Sequence, residues 1–449
     1  MQRDLIVTSS GLRIRDSIES TRELFHGLGV ALARKCGGEF IVGTDPRPSS
    51  LGALGGFISG IEEGGGICGF LGICPVSAVS YLVSRKPRLH GAMVTASHNP
   101  PEWTGLKVFS GDGIIWEERA LEDLIREATA YPATPNWRVP SPDEASLKEY
   151  VHCAAGELIA LGVSGDGLRI VVDTGNGSLS GISRTFLESL GAEVKEINAE
   201  TDGLFRRPIE PLPENLSMLR REVLSEKADF GIAHDADGNR AALVDERGNV
   251  LREDMTLAAS LLVLLEKVKS PLVVNFASSS LFESLALKKE AHIFFSEVGE
   301  RNVLLKMREV GSIVGGEGSC GGVVYTKVSH TRDGLLASGL VAHLVKEEGF
   351  LSKALSDYLD FFVSKMAFEY DPSALPFAEL VRSLKDQMPG IRYVEMGDVK
   401  FIEESGWVLI RASRTQPVLR IVAEARDQRI ADRLLLRYAS LIRKQLKAD

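Results

Sequence analysis

The stretch VTASHNPPEWTGLKVF, residues 94–109, sets Ser97 beside His98 and Asn99, breaks at two prolines, and resumes with Thr104-Gly105-Leu106-Lys107. A serine next to a histidine suggests a hydrolase nucleophile and its base. Ser97 is not in a G-x-S-x-G elbow, so the α/β-hydrolase geometry is missing. Adjacent residues on a strand point apart, which places His98 poorly as a base for Ser97. His98 nevertheless stays a catalytic candidate by its position in the loop. A serine on a tight loop can instead carry a phosphoryl group, with a divalent cation balancing its charge.

Residues 233–240, AHDADGNR, offer a site for such a cation. Asp235, Asp237 and Asn239 alternate, so on an extended segment their oxygens face the same way. An all-oxygen set suits Mg²⁺ better than zinc or copper. With Glu246 the same residues occupy EF-hand positions 1, 3, 5 and 12, but Arg240 stands where the EF-hand turn needs glycine. The preceding KADFGIAH also reads as a strand, not as an entering helix.

Residues 314–325, VGGEGSCGGVVY, place five glycines around Glu317 and Ser319. Such a loop lets backbone approach a ligand, and Glu317 can accept hydrogen bonds from sugar hydroxyls. No G-x-x-x-x-G-K-[ST] motif exists, which excludes a P-loop NTPase. Residues 411–420, RASRTQPVLR, gather Arg411, Ser413, Arg414, Thr415 and Arg420 directly after a strand-like run. Guanidinium forks, hydroxyls and backbone N–H groups are the parts of a phosphate site. Together the four stretches describe phosphoryl transfer by positioning and electrostatics.

These loops need a frame. Three segments, beginning at Phe40, Arg169 and Pro271, each run from a β-branched strand through a small-residue turn into an amphipathic helix. Each is the start of a βαβ unit, so three related α/β domains are expected. The proline-rich YPATPNWRVPSP, residues 131–142, marks a linker. AALVDERGNVL, residues 241–251, predicts a hairpin turning at Arg247-Gly248-Asn249. The last part alternates apolar residues and then turns helical, as a smaller α+β domain does. The expected domains are 1–140 with the phosphoserine loop, 141–252 with the metal loop, 253–360 with the sugar loop, and 361–449 with the phosphate loop; the resemblance to a known family that these motifs carry implies that they surround a central active-site cleft.

Bulk properties narrow the partners. A formal net charge of -9 argues against a general nucleic-acid binder. Five cysteines, none in a C-x-x-C pair, suggest a reducing, cytoplasmic setting. No uncharged apolar run is long enough to span a membrane. Small anionic molecules remain as partners, met by locally concentrated arginine; monomer and homo-oligomer are both open.

The combination resembles the α-D-phosphohexomutase family of phosphomannomutases, phosphoglucomutases and phosphoglucosamine mutases. The markers are SSGLR, GTDPRPSS, TASHNP, TGLK, HDADGNR, GGEGS and RASRTQP, in the family's order and over nearly the whole chain. The resemblance implies that Ser97 is a phosphoserine and that Mg²⁺ is held by its phosphate with Asp235, Asp237 and Asn239. It implies that the phosphoryl group passes to a hexose monophosphate, and that the 1,6-bisphosphate turns over in the cleft and rephosphorylates the serine. Glucose 1,6-bisphosphate or a related bisphosphate is then the activator. Arg13 and Lys107 would sit at the reacting oxygens, Arg240 by the phosphoserine loop, Glu317 and Ser319 on sugar hydroxyls, and Arg411, Ser413, Arg414, Thr415 and Arg420 on the idle phosphate. Mannose and glucose phosphates are the expected substrates. A phosphoglucosamine mutase is the alternative, and a catalytically retired sugar-phosphate binder is the rival from another class.

Three departures from the family's pattern stand out. Asn239 replaces the usual Asp; its amide oxygen can still coordinate, but the site loses one negative charge, which predicts weaker metal binding. Gly321 and Gly322 stand where many relatives carry a histidine, with His330 downstream as a possible substitute. Arg414 and Gln416 make the phosphate loop more positive.

Overall fold

The computed structural model describes residues 4–132, 137–318, 321–413 and 417–446. Four sheets follow one another along the chain. The first centres on strand Glu39–Thr44, flanked in parallel by Ile67–Ile73 and Leu89–Val94. Thr104–Phe109 pairs antiparallel with Leu89–Val94, and a hairpin of Asp4–Thr8 and Gly11–Arg15 extends that edge. The second centres on Arg169–Asp173, between parallel Glu193–Ile197 and Phe230–His234, with Ala241–Asp245 antiparallel at the edge. The third centres on Leu272–Asn275, between parallel Ile293–Ser296 and Val314–Gly316, with Val324–Tyr325 antiparallel.

The three sheets therefore share one plan, and the expected repeat is a repeat of topology. The central strands read FIVGT, RIVVD and LVVN because parallel strands are covered on both faces. In each domain the candidate loop joins the third strand to the antiparallel fourth. Ser97 follows Leu89–Val94, the Asp-rich loop follows Phe230–His234, and Glu317 follows Val314–Gly316. The metal loop thus lies between two strands, which removes the EF-hand reading. The expected hairpin after it is present, with Gly248 at φ 77° and Asp245 N–H donating to the Asn249 carbonyl at 2.9 Å.

The central strands end in residues that brace these loops. Asp45, just past the first, accepts from Arg47 Nε at 2.8 Å and from Thr95 Oγ1 at 2.5 Å. Arg47 is fully buried. Its Nη2 donates to the Ser97 carbonyl at 2.7 Å, and its Nη1 to the carbonyls of Asn99, Pro100 and Trp103 at 3.0–3.3 Å. Asp173, ending the second, accepts from Arg207 Nε at 2.8 Å, and Arg207 Nη2 donates to the His234 carbonyl at 2.6 Å, beside the metal loop. Asn275, ending the third, donates from Nδ2 to Glu317 Oε1 at 3.2 Å.

The first three domains share one continuous apolar core running from Ile41 to Phe361. Tyr150 stitches them, sharing a 2.7 Å hydrogen bond with Ser77 Oγ and donating to Asp333 Oδ2 at 2.7 Å. The same Asp333 caps helix Gly334–Glu348 by accepting from the N–H groups of Leu335 and Leu336.

The C-terminal unit is different in kind. Five antiparallel strands, ordered Phe362–Glu369, Val418–Ala425, Gly406–Ala412, Asp398–Glu403 and Arg392–Met396, pack against helices Phe377–Gln387 and Gln428–Leu446 with their own core. It docks on the third domain through Trp407 and Lys400. Trp407 Nε1 donates to Ser280 Oγ at 3.0 Å and to Glu424 Oε1 at 2.8 Å. Lys400 Nζ donates to the carbonyls of Phe276 and Ser278 at 3.1 and 3.2 Å and lies 4.0 Å from the centre of the Trp407 ring. Burial pushes its ammonium down to about 8.

Two predictions follow from these braces. Arg47→Met leaves Asp45 buried without its cation and four loop carbonyls without their donor, so unfolding free energy in urea falls by about 3–5 kcal/mol. Lys400 carries its proton in the unfolded chain up to its ordinary pKa but loses it near 8 when folded. Between those values the unfolded state binds more protons, so stability conferred by Lys400 rises with pH. Urea titrations at about pH 7.5 and about pH 9.5 are expected to show wild type gaining on Lys400→Met by on the order of 1 kcal/mol.

Candidate active site

The first, second and third domains meet at the metal loop. Its backbone is held by one N–H from each: Val76 donates to the Asp237 carbonyl at 3.0 Å, Ser178 to Ala236 at 2.9 Å and Gly334 to Gly238 at 3.1 Å. Three separate domains thus fix three successive carbonyls.

Ser97 comes from the first domain, on the loop after strand Leu89–Val94. It is buried, and at φ 54° its backbone is left-handed, which a non-glycine residue holds only under constraint. The constraint is visible in the Arg47 clamp on its carbonyl and in Thr95 Oγ1, which accepts from the Ser97 N–H at 2.8 Å. The result is that Ser97 Oγ lies 3.2 Å from both Asp235 Oδ2 and Asp237 Oδ1. Residues 138 and 140 positions apart in sequence share one hydroxyl.

Charge balances around this contact. Lys107, on strand Thr104–Phe109, donates from Nζ to Asp237 Oδ2 at 2.7 Å, both side chains being buried. Burial works against ionisation of Asp237, yet Lys107 holds it below the ordinary carboxylate range. Asp235 is pushed the other way, by burial and by the Asp237 charge. Arg13 is packed beside Lys107 around Gly11 and donates to the carbonyls of Ser10 and Leu12. Burial lowers it to about 10, which leaves it a cation near neutral pH. Arg240 bonds Glu210, and its N–H donates to Asp235 Oδ1 at 3.0 Å. Burial, then Arg240 and Arg13, push the His98 imidazole down to about 2. This holds the His98 imidazole in its neutral form, between the cations of Arg240, Arg13 and Lys107.

The donor set fits a hard cation. Among the described residues no three His, Cys, Asp or Glu cluster as a metal site. Asp235 and Asp237 are joined instead by the amide of Asn239, whose Oδ1 is buried and accepts no hydrogen bond. Two carboxylates, an idle amide oxygen and a serine oxygen are the all-oxygen set that Mg²⁺ takes.

The glycines at 321 and 322 have a physical reason. A Cβ on Gly321 would stand 2.0 Å from the Ala241 carbonyl oxygen, and one on Gly322 would stand 2.3 Å from that of Asn239. Both have positive φ. No side chain fits where this loop lies on the metal loop. His330 Nδ1 meets the Asp112 carbonyl, and its N–H donates to Ser80 Oγ. Arg332, two residues on, reaches the site instead. Its Nε donates to Glu300 Oε2 at 2.8 Å, and its Nη1 is 3.3 Å from Glu317 Oε2. Glu317 Oε1 also accepts from the Gly299 N–H at 2.9 Å.

Asp45, Arg47, Asp173, Arg207, Glu300 and Arg332 were absent from the candidates drawn from the sequence. Only Asp45 and Arg47 left a mark there, inside the GTDPRPSS marker.

Arg411 and Arg420 are cross-strand partners and, with Ser413, line a cavity of about 180 Å³ closed by Thr8, Ser9 and Glu297. Arg411 Nε donates to Asp398 Oδ2 at 2.7 Å. Ser319, Arg414 and Thr415 lie outside the described residues. No helix among the described residues is long and apolar enough to cross a membrane.

Comparison with known proteins gives the same frame. Family models described as phosphoglucomutase/phosphomannomutase, alpha/beta/alpha domains I, II and III, match residues 6–133, 148–248 and 253–365, and the corresponding C-terminal domain matches 378–440. A protein of Methanopyrus kandleri named "Probable phosphoglucosamine mutase" is 32% identical over 97% of both chains. A "Phosphoglucomutase/phosphomannomutase" of Thermococcus kodakarensis is 31% identical over 91% of this chain and 90% of its own. The crystal structure of a phosphoglucomutase/phosphomannomutase family protein from Burkholderia thailandensis shares the fold at a TM-score of 0.80, with 22% identity over 99% of this chain and 98% of that one. The chain belongs to the phosphoglucomutase/phosphomannomutase family of α-D-phosphohexomutases and is an intramolecular phosphotransferase.

Proposed function

We propose that the protein is a phosphoglucosamine mutase, interconverting glucosamine 6-phosphate and glucosamine 1-phosphate through phosphorylated Ser97 and a 1,6-bisphosphate. The observation that carries the chemistry is Ser97 Oγ at 3.2 Å from both Asp235 and Asp237, with Lys107 on the latter. Sequence alone favoured mannose and glucose phosphates. The name of the Methanopyrus kandleri relative, similar over nearly its whole length, moves the choice to glucosamine.

Phosphorylating Ser97 removes the hydroxyl donor and sets an anion against two carboxylates, an arrangement that calls for a cation. Mg²⁺ held by Asp235, Asp237, Asn239 and the Ser97 phosphate would supply that charge compensation. In the first transfer the bond from phosphorus to Ser97 Oγ breaks and one to a sugar hydroxyl oxygen forms. The hydroxyl proton ends on Ser97 Oγ, which again donates to the two carboxylates. After the bisphosphate turns, the same exchange runs in reverse with its other phosphate. Lys107 and Arg13 stabilise charge on the reacting oxygens, and Arg240 steadies Asp235. Glu317 and Ser319 grip sugar hydroxyls or the amino group. Arg411, Ser413, Arg414, Thr415 and Arg420 hold the phosphate that is not reacting, and a soluble bisphosphate restores Ser97 when its phosphate is lost.

Turnover of the 1-phosphates of glucosamine, glucose and mannose, each with Mg²⁺ and a trace of glucose 1,6-bisphosphate, tests this. Glucosamine 1-phosphate is expected to convert fastest, and Ser97→Ala to lower the rate at least about 10³-fold, as loss of a nucleophile does. Intact mass should show one phosphoryl group on wild type and none on Ser97→Ala. Faster conversion of mannose or glucose 1-phosphate overturns the glucosamine assignment, and undiminished turnover by Ser97→Ala overturns the mechanism.

A further inference from the structure

Ser97 is held by both sides of its backbone, and both holds lead to one oxygen atom. Its N–H donates to Thr95 Oγ1 at 2.8 Å, and its carbonyl accepts from Arg47 Nη2 at 2.7 Å. Thr95 Oγ1 in turn donates to Asp45 Oδ2 at 2.5 Å, and Arg47 Nε donates to the same Oδ2 at 2.8 Å. Ser97, Thr95, Asp45 and Arg47 thus close a ring, and all of them are buried. The direction of its bonds is fixed. A backbone N–H only donates, so the Thr95 oxygen must accept from Ser97 and its own single proton goes to Asp45.

The ring holds a conformation that the loop would otherwise leave. Ser97 is the second residue of a turn closed by the Asn99 N–H on the Ala96 carbonyl at 3.1 Å. With φ 54° it occupies a turn position that favours glycine. Glycine would take that backbone without strain but carries no hydroxyl. A serine there relaxes toward negative φ unless its N–H and its carbonyl are both held. Such a relaxation turns Cβ relative to the loop and carries Oγ off its 3.2 Å contacts with Asp235 and Asp237.

We propose that Asp45 anchors a strained seat for the nucleophile, and that Thr95, through its hydroxyl, is a positioning residue for phosphoryl transfer. Both act on the Ser97 backbone and not on its hydroxyl. Their loss is therefore felt in the transfer step and not in capture of the sugar phosphate. The inference rests on the phosphoserine of the proposed function.

Steady-state kinetics with the sugar 1-phosphate that wild type converts fastest, and the ³¹P resonance of the phosphoserine, test this. The protein is first loaded by glucose 1,6-bisphosphate, and loading is checked by intact mass. Thr95→Val keeps the shape and removes the hydroxyl, whereas Thr95→Ser keeps the hydroxyl. Thr95→Val is expected to lower kcat about 10²-fold without raising KM, as a small misplacement of reacting atoms does, and to shift the ³¹P resonance. Thr95→Ser is expected to stay near wild type in both readouts. Should Thr95→Val not fold, Thr95→Ala takes its place, since it differs from Thr95→Ser by the hydroxyl alone. The strain has its own test: Ser97→Gly is expected to unfold at higher urea than Ser97→Ala, because only glycine takes φ 54° freely. The reverse order, wild-type kcat without the Thr95 hydroxyl, a raised KM with kcat intact, or Thr95→Ser as slow as the variant lacking the hydroxyl overturns this inference and leaves Ser97 as the phosphoryl carrier. Wild type with no phosphoryl group on Ser97 and full turnover by Ser97→Ala removes the proposed mechanism and this inference together.

Discussion

The buried ion pair between Lys107 and Asp237 is the contact on which the site depends. Removing two charges from water is costly, and their mutual attraction offsets that only when geometry is good and the remaining valences are filled. Here they are filled from several domains. Lys107 comes from the first, Asp237 from the second, and the backbone behind Asp237 is pinned by Val76, Ser178 and Gly334. A shift of any of the three domains would leave a charge unpaired. The continuous core from Ile41 to Phe361 gives the rigidity that such an arrangement requires.

One topology, used three times, solves the delivery problem. Each sheet sends the loop after its third strand to the same place, and an acid or amide at the end of each central strand braces it. The brace differs with the job. Asp45 and Arg47 fold a serine into a left-handed conformation, Asp173 and Arg207 steady the approach to the metal loop, and Asn275 aims Glu317. The chemistry changes between repeats while the scaffold does not.

What could be read from the sequence follows the same division. Ser97, Asp235, Asp237, Asn239 and Lys107 sit in short contiguous motifs whose residue types declare their chemistry, and the strand-turn-helix rhythm declared the α/β domains. The supports did not declare themselves. Glu300 accepts from a residue 61 positions earlier and Arg332 donates to one 32 positions earlier, and each alone reads as an ordinary surface charge. At Gly321 and Gly322 a Cβ would stand 2.0 and 2.3 Å from carbonyl oxygens, which the sequence did not foretell. Steric exclusion by a distant backbone leaves no trace in a linear pattern.

The seat of Lys400 has a mechanical consequence. Its ammonium bonds the Ser278 carbonyl, while Ser278 Oγ accepts from the Gly318 N–H at 3.3 Å, next to Glu317. The C-terminal domain is thus fastened next to Glu317, and Arg411, bonded to Asp398 two residues before Lys400, lines the neighbouring cavity with Arg420, Thr8 and Ser9. Fastening and cavity sit side by side on one pair of strands. Any displacement of that strand pair therefore moves the Lys400 contacts and the two arginines together, so the support behind Glu317 and the arginine-lined cavity cannot be adjusted independently.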